Sequence, residues 1–136
     1  MRSIHDNYVY AYEVLCEARR TVLHTHFRDG TADEFTDVVF DGVEAHHFVC
    51  SLDGNILFDV SEVDVEQLVN SNADLFARDK DYGWPQIEYS DRAQLIAILQ
   101  DRGIKGYVVA SSYGLTGWVL ASEMKQVERD GAWKSG

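Results

Sequence analysis

The chain has 136 residues, 46% of them hydrophobic and 12% aromatic, with a formal net charge of −11 and a mean hydropathy of −0.25. That length suits one domain of about 100–200 residues, and the composition suits a packed interior rather than disorder. No run of about 18 apolar residues is present, which excludes a membrane-spanning helix, and MRSIHDNYVY lacks the apolar core of a secretory signal, so a cytoplasmic location is expected.

In chain order, YVYAYEVLCE and RRTVLHTHF are rich in Tyr, Val, Leu and Thr around a polar break, the pattern of a β-hairpin. With Ala18 and Arg19 as a two-residue turn, Val14 faces Leu23, Tyr12 faces Thr25 and Tyr10 faces Phe27. Tyr10, Tyr12, Val14, Leu23 and Phe27 then form an apolar side. The polar side carries Glu13 opposite His24, with His26 next along. EFTDVVFDGV reads as a third strand. HHFVCSLDGNILFDV reads as a second hairpin about an Asp53-Gly54 type I′ turn, with Val49 facing Phe58 and His47 facing Val60. In that register His46 and His47 point to opposite faces, and Cys50 is about 13 Å from His46 along the strand, too far for one metal ion.

A helix follows, with Asp64 as N-cap, Gln67 at the capping-box position and Val65, Leu68, Val69, Asn72 and Phe76 along one stripe. A second starts near Ser90 or Asp91, buries Leu95, Ile96 and Leu99, and stops at Gly103. Two strands about a turn from Tyr113 to Gly117 close the chain. Hairpins, two helices and a closing hairpin, without βαβ alternation, predict an α+β domain over residues 1–129 built on a mainly antiparallel sheet. Residues 130–136 carry no pattern and are expected to be a mobile tail.

Charge is distributed unevenly. From Asp29 to Ala77 there is no Lys or Arg, and that stretch holds 12 of the 23 acids; the rest balances 11 acids against 12 bases. Such a field repels phosphates and anionic lipid and attracts cationic surfaces over about 8 Å at physiological salt, which argues against nucleic acid or membrane as a partner. Cys16 and Cys50 make neither a zinc pattern nor a disulfide framework and read as small core residues. Walker loop, nucleophile elbow and dinucleotide fingerprint are absent, and SLDGNILFDVSE lacks the glycine and acid spacing of a calcium loop. No catalytic residue is assigned and no cofactor is implied.

Two candidate sites remain. His24 and His26 stand about 7 Å apart on one strand face beside Glu13, a spacing from which two imidazoles can converge on zinc or iron. Loop aromatics, Trp84 foremost, together with Asp33, Glu34, Asp37, Asp41, Asp59 and Glu62, would form an anionic surface with an aromatic anchor.

FDGVEAHHF, NILFDVSE, YGWP and SSYGLTGWVLA together resemble a group of small acidic bacterial proteins of unknown function, a likeness that implies no activity. In size, acidity and α+β build the chain is also similar to immunity proteins of bacterial toxin systems. That likeness is of type and not motif, and implies a protein that covers a toxin's basic active site. The expectation is therefore a cytoplasmic acidic binding protein whose middle third meets a basic, toxin-like partner. The alternatives are a metal-dependent enzyme using His24, His26 and Glu13, and a structural homo-oligomer subunit; the sequence leaves oligomeric state open.

Overall fold

The structure is a computed structural model of the chain and describes residues 7–29, 32–49, 55–80, 85, 87–113 and 116–134. In order come β1 (Tyr8–Leu15), β2 (Arg20–Asp29), β3 (Ala32–Asp41), β4 (Ala45–Val49), β5 (Asn55–Val63), α1 (Val65–Ser71), α2 (Ala73–Asp79), α3 (Arg92–Asp101), β6 (Lys105–Tyr113), β7 (Thr116–Ala121) and β8 (Glu123–Arg129). The strands form one antiparallel sheet in the order β4-β7-β6-β5-β1-β2-β3-β8, so the class is α+β as expected, with three helices in place of two.

The sheet is rolled over on itself. Phe40 of β3 and Tyr107 of β6 have ring centroids 5.6 Å apart, although a flat sheet would separate these strands by four spacings, about 19 Å. The chain makes the closure. Ser122 between β7 and β8 donates its N–H to Asp41 O (2.9 Å), and Glu44 between β3 and β4 donates to Leu120 O (2.8 Å), so the pair β3–β8 runs on into β4–β7. Gly42 sits at this crossing with φ +64°, and a Cβ there would run into the Ser122 side chain. Inside the roll lie Val9, Leu23, Val38, Phe40, Tyr107, Val109, Val119 and Ala121.

The helices cover only one part of the outside. Val65, Leu68 and Val69 of α1, Phe76 of α2 and Leu95 and Leu99 of α3 pack on Ala45, Trp118 and Leu120, with Val63 at the margin, so this outer core takes its strand residues from β4, β5 and β7. Trp118 is thus a core residue, 5% exposed. Asp64 caps α1 as expected, accepting from Glu66 N–H at 2.8 Å. The single helix expected from Asp64 to Phe76 breaks at Asn72, whose Nδ2 donates to Leu68 O (2.9 Å) and competes with the helical ladder. Asp91 caps α3 by accepting from Gln94 N–H (2.8 Å), and Gly103 ends it at φ +71°.

Two expected pairings are corrected. The β1–β2 turn is four residues, Cys16 to Arg19, closed by Arg19 N–H to Cys16 O, with Arg19 at φ +53°. Glu13 therefore faces Val22, Ala11 faces His24, and Cys16 is exposed in the turn rather than in the core. A bulge between Val9 and Ala11 then brings Tyr10 out toward the His24 side, and Tyr12 stays 43% exposed instead of completing an apolar face. β4 and β5 do not pair with each other: His47 faces Trp118 of β7 and Val60 faces Val109 of β6. The local turn signal was outweighed by two long-range partners that close the roll; Cys50, Asp53 and Gly54 lie outside the described residues.

Candidate functional site

On the outer face of β1, β2, β3 and β8, alternation places Val22, His24 and His26 beside Ala11 and Glu13 on one side and Phe35, Asp37, Val39 and Asp41 on the other, with Lys125, Val127 and Arg129 beyond. His24 is 1% exposed, and its neighbours form a continuous row. Nε2 lies 2.8 Å from Glu13 Oε2 and Nδ1 lies 2.8 Å from Asp37 Oδ1. Arg129 Nη1 donates to the other oxygen of Asp37 at 3.0 Å. Each ring nitrogen of His24 thus faces a carboxylate oxygen, to which a proton on that nitrogen donates. Of this row only His24 and Asp37 are buried, and Asp37 is shared between the His24 ring and the Arg129 guanidinium.

The C-terminal segment lies on this row. The indole of Trp133 stacks on the His24 ring at 4.4 Å and 10°, and the Trp133 backbone N–H donates to Tyr10 Oη at 2.8 Å. Tyr10 also stands edge-on to Phe35, at 6.2 Å. His26 turns the other way: it stacks on Phe35 (4.5 Å) and meets Asp33 Oδ1 at 3.1 Å. Hydrogen bonds from His26 and then Arg28 hold the exposed Asp33 below the usual carboxylate range.

Glu13, His24 and His26 thus share a face as expected, but their nitrogens are directed at different carboxylates. Both His24 nitrogens already meet carboxylate oxygens at 2.8 Å, while His26 Nε2 meets Asp33. Among the described residues no group of three or more His, Cys, Asp or Glu could hold one.

The acids of the middle third do not form one surface. Asp33, Glu34, Asp37 and Asp41 lie on β3, Asp59 and Glu62 on β5, with β1 and β2 between them. Bases from outside that stretch reach several of them. Asp41 bonds Arg20 (2.6 Å) and lies 3.7 Å from Lys125, Asp33 meets Arg28, Glu44 meets Arg19 and Arg102, and Glu62 lies 3.9 Å from Lys105. Asp37 is 6% exposed and spends both oxygens internally, so it offers nothing to a partner. Glu34, Asp59 and Glu62 are exposed; Trp84 lies outside the described residues.

Sequence reasoning missed Arg129, Tyr10 and Trp133. A lone tryptophan in an otherwise polar tail was the available signal for the last. Among the other concave features, a cavity of about 320 Å³ between α1 and β7 has part of its polar lining committed locally: Asn72 donates to Leu68 O and Thr116 to Val109 O. No helix among the described residues is long and apolar enough to cross a membrane. No family model, curated protein or solved structure matches the chain.

Proposed function

We propose that the chain is an acidic binding protein that engages a basic protein partner, in the manner of an immunity-type inhibitor of a bacterial toxin. One observation carries the reading: Tyr8, Tyr10, Tyr12, Val14 and Leu15, five of the eight residues of β1, are 39–45% exposed, Tyr8, Tyr10 and Leu15 on the face of His24 and Tyr12 and Val14 on the face of Leu23. Tyrosines on a rigid strand are the anchors that protein interfaces favour, and each Å² of apolar surface covered contributes about 25 cal/mol. Exposed acids stand on either side, Asp59 and Glu62 on the adjacent β5 and Asp33 and Glu34 on β3, beyond β2.

Charge supports the same reading. Arg19, Arg20, Arg28, Arg78, Arg102, Lys105, Lys125 and Arg129 are all in ion pairs, so the surplus of −11 dominates the outward field and speeds encounter with a cation-rich surface. The exposed strand would also suit a second copy, but that assembly doubles the −11.

The test is co-purification with the products of the reading frames that flank this one, which the reading expects to include a basic protein. The reading predicts a complex whose association slows steeply with added salt and that Tyr12→Lys with Asp59→Lys disrupts. No complex, or one indifferent to salt and to both substitutions, contradicts it.

A further inference from the structure

We propose that the outer face around His24 is the docking site for an extended segment of the partner that presents an aromatic residue followed by a base, and that the chain's own C-terminal segment sits there as a stand-in. The inference rests on the binding reading above and names its contact.

The seat is formed from three elements. His24 offers a flat ring face, Tyr10 Oη accepts a backbone N–H, and the two are brought together by the β1 bulge. What occupies it is held lightly. Trp133 is half-buried while residues 130–132 and 134 are exposed, and the described contacts of the segment are one ring stack, the bond to Tyr10 and a 3.4 Å bond from Arg129 Nε to Gly131 O. A segment tethered at an effective concentration near millimolar stays docked even when its intrinsic affinity is weak, and an incoming chain with further contacts along β1 displaces it.

The chemistry of the occupant follows from the seat. An imidazole ring held between Glu13 and Asp37 presents a flat face that an indole or phenol covers. The chain as a whole carries a net charge of −11, which suits a base next in the occupant, as Lys134 follows Trp133. What lies against Trp133 is the ring of His24, itself held between two carboxylates, in contrast to the apolar layer of the helix-covered half.

The experiment uses the full chain and a synthetic peptide of residues 131–136. Carbon-correlated NMR of the five histidine rings reads the site, because an indole stacked at 4.4 Å shifts the His24 ring protons strongly upfield. That shift is expected in the wild type, lost in Trp133→Ala, partly kept in Trp133→Phe, and restored in Trp133→Ala by the peptide. The wild type should take the peptide about tenfold more weakly, since its own segment competes. Tyr10→Ala in the Trp133→Ala background should weaken peptide binding without disturbing the His24 row.

Failure of the peptide to restore the shift, or equal binding by both chains, overturns the site. A wild-type dimer that Trp133→Ala dissociates assigns the seat to a second copy and also overturns it. Capture of a basic protein from a flanking frame that peptide and Trp133→Ala leave unchanged sinks this inference while sparing the binding reading. A docked peptide with no basic partner captured keeps the seat for the chain's own segment but sinks the binding reading and, with it, the partner as occupant.

Discussion

The two outer faces of the rolled sheet are buried by opposite means. Over β4 and β7, Trp118 and Leu120 meet Leu68, Val69, Phe76, Leu95 and Leu99 in an apolar layer. Over β2 and β3 the central positions are His24 and Asp37, closed off by Glu13, Arg129 and one tryptophan. The first layer draws stability from every methylene removed from water, whereas the second spends desolvation on charges and recovers it only through pairing. A fold needs the first kind of face. The second kind is what a surface meant to meet other molecules can carry.

Substitutions can break or sharpen that contrast. Leu99→Ala, fully buried under α3, should lower unfolding free energy by about 2–5 kcal/mol in urea titration, near the upper end where the helices cannot collapse onto the cavity. Asp37→Ala leaves His24 and Arg129 facing an uncompensated gap and should cost about 3 kcal/mol, so single changes on the polar face rival core truncations. Trp133→Ala should cost only about 1 kcal/mol, the scale of one aromatic stack on a partly exposed site. A cost as large as that of Leu99→Ala would make the segment part of the core and erase the contrast.

Protonation offers a weaker probe. His46 is held below the ordinary imidazole value, first by burial and then by the charge of His47. Its folded value lies below the unfolded one of about 6.5, so the unfolded chain takes up the proton first. Stability from this group is complete above about pH 6.5 and is lost as pH falls toward the folded value. Denaturant midpoints measured down that range should fall less steeply in His46→Phe than in the wild type. Smallest of all, Lys105→Ala should change stability by less than about 0.5 kcal/mol, because its partner Glu62 is 3.9 Å away and both are well exposed.

Much of the fold was legible in the residues. Period-two patterning located the strands, and Asp64, Asp91 and Gly103 marked helix ends through cap chemistry that is local by nature. Pairing was harder. Asp53-Gly54 promised a hairpin, yet β4 pairs with β7 and β5 with β6, because the roll is decided by partners some sixty residues away that no short-range signal reports. The site was half visible: residue types and strand parity brought Glu13 toward His24, even though the register was two residues off. Its remaining members, Asp37 across the next strand, Arg129 on a strand not foreseen and Trp133 beyond it, come together only when the far end of the chain folds back. The acid-rich stretch misled for the same reason, since strand order put β1 and β2 between its carboxylates and brought arginines in from elsewhere.

That the His24 row serves binding and not stability is tested most directly by replacing it whole. The unfolding free energy of the quadruple variant Glu13→Leu, His24→Leu, Asp37→Leu, Arg129→Met should match the wild type within about 1 kcal/mol or exceed it, since apolar side chains of similar volume replace the whole ion cluster and leave no charge unpaired. A drop of about 3 kcal/mol or more would show that the row holds the fold together, and the proposed working face would have no reason to be polar.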